Sequence, residues 1–282
     1  MGDNPVLKVS IAKINKTTPI PQPPGAPLLQ NIFDIDSSNT WECPKILAEN
    51  YGEIFQIKVL GKTVIFVAGA ALSEKLYDEK CFRRFFPGRG RIIEIRYGVG
   101  DSLVAAFDHQ ESWGVAHRII AHRIIAPQLC RDAVAGMFDE MRDITVELNA
   151  VGGLREPLRL SLAAPRFNVE PVPHGGDGAD DASPVLLGGG RYAVAHDQAM
   201  VVVLAGVNRD PAVFADLLAF DPGCMTGEVF ERLPRAARRY FGNGKHGCEG
   251  KHWAWQFSLV VLTLLLREVS FEKADPAYEL QA

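Results

Sequence analysis

The stretch that most restricts this chain is FGNGKHGCEG, Phe241 to Gly250, because of the apolar run that comes after it. Four glycines in ten residues let the backbone turn sharply and let other groups approach it closely. Two residues later begins the apolar run WAWQFSLVVLTLLL, from Trp253. It has 14 residues and includes Gln256 and Ser258, whereas a membrane span needs about 20. It therefore predicts a buried helix and no transmembrane segment. The fold must present a single thiol, Cys248, just ahead of a helix. Free N–H groups and the positive end of the helix dipole there favour thiolate over thiol.

The rest of the chain reads as alternating short elements. TPIPQPPGAPLL (Thr18 to Leu29) predicts an extended N-terminal arm. TWECPKILAENYG predicts a helix closed by Gly52. Two β-rich runs, Ile54 to Leu60 and Thr63 to Val67, flank Gly61-Lys62 and predict a hairpin. AALSEKLYDEKCF returns to helical spacing, and ESWGVAHRIIAHRII predicts an amphipathic helix ending at Pro127. Its tandem AHRII repeats turn a helix by about 500°, so the two copies face different ways and only one can serve a given site. RDAVAGMFDEMRDITVELNA predicts a further helix, ended by Gly152-Gly153. LREPLRLSLAAP is a short helix candidate, VPHGGDGADDASP a surface loop, and RYAVAHDQAMVVVLAG a set of strands. Asn208 to Tyr240 sustains no period and reads as coil with short turns. The order lacks regular βα alternation, which predicts an α+β class, mainly α.

The cysteine stretch is open to several chemistries. Gly242-x-Gly244-x-x-Gly247 has dinucleotide-loop spacing, but the charged, proline-broken ERLPRAARRY stands where a buried strand is required. Lys245 is followed by His246, where a phosphate loop needs Ser or Thr. His246, Cys248 and His252 suggest zinc, but no second cluster supplies a fourth ligand. A buried, inert cysteine beside a glycine turn remains open. So does a soft metal ligand held as thiolate, for which cysteine-bound haem iron is the familiar case.

Bulk properties narrow the classes. The formal net charge of −4 and the absence of a dense Lys/Arg run exclude a basic nucleic-acid binder. The five cysteines are odd in number and lack a CxxC pair, which fits a reducing, cytoplasmic setting.

Phe241, Gly244, Cys248 and Gly250 match Phe-x-x-Gly-x-Arg-x-Cys-x-Gly, the cysteine-ligand loop of the cytochrome P-450 family, which this chain resembles. EPLR (Glu156 to Arg159) is similar to that family's helix K motif, followed by AAPRF. NRDPAVF is similar to the segment before the meander, and WGVAHRII to helix C. Within the family the resemblance is nearest to the haem domain of self-sufficient fatty-acid hydroxylases fused to a reductase, through GNGKHGCEGKHWAWQ and DPAYEL. It covers nearly the whole chain. It implies a single truncated haem domain over 1–282: arm, hairpin sheet and helices A to D in 1–150, then helix K, meander, cysteine loop and helix L in 154–282.

By position, the resemblance also implies roles for single residues. Cys248 is the haem-iron ligand, and Phe241 lies beside it. Trp113, His117 and His246 contact haem propionates, with His122 as a rival to His117 because of the repeat. Glu156 and Arg159 form a structural pair. Lys62 meets a fatty-acid carboxylate, and Val104 lies over the haem face. The reaction would be monooxygenation of a small apolar substrate, with electrons from a separate NADPH-dependent flavin reductase. There are departures. His246 stands at the motif's arginine position, and Cys224, in FDPGC, replaces the meander arginine that completes the Glu156–Arg159 network. Helices E to J have no counterpart, and with them goes helix I, whose acid–alcohol pair delivers protons. No catalytic residue is therefore assigned. The loss of that section is expected to leave apolar helix faces exposed.

Overall fold

The computed structural model describes residues 17–36, 42–84, 111–120, 126–134, 136, 137, 139, 142, 166–171, 183–196, 198–217, 219, 221–238, 240–242, 247–272, 276 and 277. The helices are α1 (Glu42–Tyr51), α2 (Ala70–Leu76), α3 (Glu111–Ile119), α4 (Pro127–Asp132), α5 (Leu204–Val207), α6 (Gly227–Arg232) and α7 (Lys251–Glu268). The strands are β1 (Ile54–Val59), β2 (Lys62–Val67), β3 (Phe82–Arg84), β4 (Arg166–Pro171), β5 (Val185–Leu187), β6 (Tyr192–Val194) and β7 (Met200–Val203). The mixture is the α+β class that the sequence predicts. The chain divides into two compact units, Met1–Gln110 with Leu162–Gly247, and Glu111–Ser161 with Cys248–Ala282.

The first unit is built on a sheet of order β1-β2-β7-β4-β3. Strands β1 and β2 are rich in β-branched and aromatic residues, which suit a pleated surface buried on both faces. They pair antiparallel from Ile54↔Val67 to Val59↔Lys62. Phe55 and Phe66 lie directly opposite and stack at 5.1 Å, with planes 5° apart. One face carries Ile54, Ile65, Val67, Met200 and Val202, covered by Leu72 and Leu76 of α2 and by Leu187 and Val194. The other carries Phe55, Ile57, Phe66 and Val203, against Leu47, Ala48 and Tyr51 of α1. The hairpin is as expected, but its turn sits one residue earlier. Leu60 (φ +49°) and Gly61 (φ +79°) make the bend, and Lys62 already pairs in β2.

Side chains from distant segments fix the layers. Gly69 offers no side-chain cap to α2, and Asp210, from NRDPAVF, accepts the Ala70 N–H at 2.7 Å instead. Glu74 of α2 accepts the Ala236 N–H at 2.9 Å. The N-terminal arm is extended from Thr18 to Gly25, where Pro21 C=O takes the Gln56 N–H and Arg191 C=O the Thr18 N–H, but the predicted extension to Leu29 is corrected: Pro27–Leu29 turn back, with Leu28 at φ +62° and Ala26 and Gln30 bonded to each other. Fully buried Asn31 pins the arm's end. It accepts from Lys58 N–H and the Gln22 amide, and donates to Pro23 C=O and Asp34. The β5–β6 hairpin turns through Gly188, Gly189 and Gly190, all at positive φ, which side chains would strain.

The helix predicted to end at Gly52 does so, with Gly52 at φ +86°. Other expectations shift. Pro127 opens α4 at its first turn, where its missing N–H is harmless, and residues 121–125, over which the preceding helix was expected to run, lie outside the described residues. AALSEKLYDEKCF is helical only to Leu76 and then enters β3. The strand segment ends in a helical turn, α5, and the coil segment holds α6. LREPLRLSLAAP, most of VPHGGDGADDASP and the end at Gly152-Gly153 lie outside the described residues.

In the second unit, α7 lies against α4, and the Gln256 side chain donates to the Cys130 carbonyl. Val260 and Leu264 continue that stripe and are buried. The expectation of a buried helix is corrected on the opposite face. Trp255, Leu259, Leu262 and Leu266, spaced four, three and four apart, are exposed. Mean apolarity predicts burial on all sides, but the described neighbours cover one stripe. Among the described residues no helix is long and apolar enough to cross a membrane.

Candidate functional site

The cysteine stretch meets α7 as the sequence predicts. Gly250 is the N-cap, and Cys248 stands two residues before it, its thiol free and exposed. That excludes the buried, inert cysteine. The Lys251 N–H bonds to the Cys248 carbonyl (3.3 Å), and the Gly250 carbonyl accepts the Ala254 N–H (2.8 Å). The sulfur is thus left outside the helix's own hydrogen bonding. A Cβ at Gly250 would sit 3.8 Å from Sγ, in van der Waals contact, so a side chain there would add bulk beside the thiol. Glycine keeps that flank open.

Helix α3 belongs to the same unit. Trp113 and His117 are four residues apart, hence on one face. Their rings lie 4.9 Å apart with planes at 38°, both half-buried. His117 Nε2 contacts the carboxylate Oε1 of Glu249, the residue after Cys248. Their side chains retain 29% and 19% of their exposure, which makes this more than a surface pair. Glu249 thereby ties α3 to the cysteine loop. Sequence reasoning missed it. An acidic residue inside an otherwise neutral or basic loop was the available signal.

Of the other predicted site residues, Phe241 and Lys62 belong to the first unit. Phe241 is half-buried, and Lys62 is exposed at the start of β2. His246, Glu156, Arg159 and Val104 lie outside the described residues, as does His122. Cys224 sits in the 3-10 turn Pro222–Met225, its thiol bonded to the Asp221 carbonyl at 3.0 Å. Neighbouring Tyr240 donates to Met225 Sδ (3.2 Å), and burial, with Cys224 nearby, pushes its hydroxyl pKa up. Among the described residues no group of three or more His, Cys, Asp and Glu gathers as a metal cage.

A haem fits the donor set of the second unit. One open thiol would hold the iron, and an indole N–H with an imidazole would bind carboxylates. The fit is qualified by Glu249, which already holds His117 Nε2.

No protein-family model matches the chain. Curated proteins do. The bifunctional cytochrome P450/NADPH–P450 reductase ascE of Acremonium egyptiacum is 24% identical over 93% of this chain and 41% of its own length. The bifunctional cytochrome P450/NADPH–P450 reductase of Aspergillus oryzae is 38% identical over 45% of this chain and 11% of its own. The self-sufficient cytochrome P450 monooxygenase CYP505E3 of Phanerodontia chrysosporium is 31% identical over 47% and 12%. The chain thus spans well under half the length of each. The first alignment runs over 447 residues against 282 in the whole chain, so at least 165 (447 − 282) of its positions have no counterpart here. The chain's homologues are therefore the cytochrome P450 domains of self-sufficient P450/reductase fusions, of which it is a divergent and shorter relative.

Proposed function

We propose that the chain is a cytoplasmic haem-thiolate monooxygenase in which Cys248 would hold the haem iron. Its substrate would be a small apolar molecule of fatty-acid type, and its electrons would come from a separate NADPH-dependent flavin reductase. The observation that carries this reading is an exposed thiol at the head of α7, joined through Glu249 to the helix that bears Trp113 and His117. Bound haem would supply oxygen activation. The protein would hold the cofactor by its sulfur, keep that flank clear at Gly250, and present the Trp113 and His117 N–H groups to haem carboxylates. The roles that resemblance gives to Phe241, His246, Glu156, Arg159, Lys62 and Val104 are part of this proposal. So is the view of residues 1–282 as one truncated haem domain.

A second reading is a haem-binding remnant without turnover. It is favoured by the exposed stripe Trp255, Leu259, Leu262 and Leu266 and by the unmatched length of the first relative. The test reconstitutes the chain with haem, reduces it and adds carbon monoxide. A red-shifted Soret band, lost in Cys248→Ala, supports thiolate ligation. Absence of haem uptake overturns both readings. Hydroxylated product from a fatty acid, NADPH and a flavin reductase supports the enzyme, and haem without product supports the remnant.

A further inference from the structure

We infer that Glu249 is a positioning residue that occupies His117 as an internal stand-in for a haem carboxylate, so that haem and Glu249 compete for one imidazole. This rests on the proposed haem function of the chain. Three observations carry it. His117 Nε2 already faces Glu249 Oε1. The imidazole sits on α3 with its ring 4.9 Å from that of Trp113 and tilted 38° to it. Glu249 directly follows Cys248, so the carboxylate on His117 belongs to the same loop as the proposed ligand sulfur. An imidazole has two ring nitrogens, and a neutral one donates from only one of them. While Nε2 donates to Glu249, a haem carboxylate loses that donor. It also meets a like charge, which lowers affinity.

Most replacements that break a contact in a binding site weaken binding; here removal of Glu249 should strengthen it. Five proteins decide the matter: wild type, Glu249→Ala, Glu249→Gln, His117→Ala and the Glu249→Ala/His117→Ala double variant. Haem affinity is read by absorbance titration of the unloaded chain, and stability by urea unfolding without haem. Glu249→Ala is expected to bind haem about tenfold more tightly, a factor equal to about 1.4 kcal/mol. The larger part of the gain should vanish when His117 is also Ala, leaving only the smaller part that comes from removing the like charge. Glu249→Gln, which keeps an acceptor but not the charge, should fall between. Without haem, the two Ala changes should be non-additive in the urea midpoint, since their side chains touch. A Glu249→Ala chain that binds haem no better than wild type overturns this inference and leaves the proposed function standing. So does a gain of undiminished size without His117, or strict additivity in urea. Failure of all the variants to take up haem overturns the proposed function together with it.

Discussion

Leu262 and Leu264 of α7 are two residues apart, chemically identical and turned to opposite sides. Leu264 is 2% exposed and Leu262 54%. Burying a leucine side chain fully is worth about 1.5–3 kcal/mol in transfer. Truncation of a buried leucine adds a cavity term, so Leu264→Ala should cost about 2–5 kcal/mol. At Leu262 roughly half of the transfer term is lost and no cavity forms, which leaves about 1 kcal/mol or less. Leucine and alanine differ little in helix propensity, so that contribution is the same small one at both sites. The assay is urea unfolding of the two single variants at neutral pH, with slopes compared to confirm an unchanged transition. A clear fall in midpoint for Leu264→Ala and a small one for Leu262→Ala is the expected pattern. Equal, large falls would refute the reasoning, because they would mean that the face bearing Leu262 is covered as tightly as the face bearing Leu264.

Two further outcomes come from the first unit. A Cβ at Gly206 would lie 2.6 Å from the Ala68 Cβ, a contact with little slack because the Ala68 Cα lies only 3.3 Å away. Gly206→Ala should destabilise by about 1–3 kcal/mol, seen as a lower thermal midpoint; an unchanged midpoint would show that α5 can shift freely. Asp78 has its pKa lowered to about 2, first by the hydrogen bond from Lys75 (2.7 Å) and then by the Lys80 N–H. Because the folded value lies below the unfolded one, this stabilisation is present above pH about 4 and is lost as pH falls toward 2. Asp78→Asn should therefore lower the urea midpoint at pH 7 and leave it nearly unchanged near pH 2. The effect is small, since Lys75 and Asp78 keep 46% and 34% of their side-chain exposure. A gap that stays equal at both pH values would remove the ion pair as its cause.

What the sequence disclosed tracks how local each determinant is. The β1–β2 hairpin was legible because its strands, turn and partners fall within Ile54 to Val67. Even there the bend moved by one residue, since pairing Val59 with Lys62 puts Leu60 and Gly61 at the corner. The parallel pairing of β2 with β7 could not be read, because the strands are far apart in the chain and either run alone is just an apolar strand. Asp210 capping α2 was hidden for the same reason: the helix's own N-cap is glycine, and its acceptor comes from 140 residues away. The burial of α7 was misread because an apolar composition reports what a helix would gain from neighbours, not how many neighbours it has.

The candidate site divides along the same line. Cys248 stood out through its own surroundings, the glycines and the helix after them, but these left an inert thiol open, and the ligand role rests on the resemblance carried by motifs elsewhere in the chain. His246 was visible as a departure because it stands inside that pattern. Glu249 stands inside it too, yet its position in the pattern admits any residue, so the sequence alone assigns its charge no meaning. That meaning comes from His117, brought beside it only in the folded second unit. Once the two are together the charge acts on both sides of the site. It steadies α3 against the cysteine loop while withdrawing a donor that a carboxylate-bearing cofactor would use. Haem affinity in Glu249→Ala therefore separates the two effects: loss of the tie alone would weaken binding, whereas release of the imidazole would strengthen it.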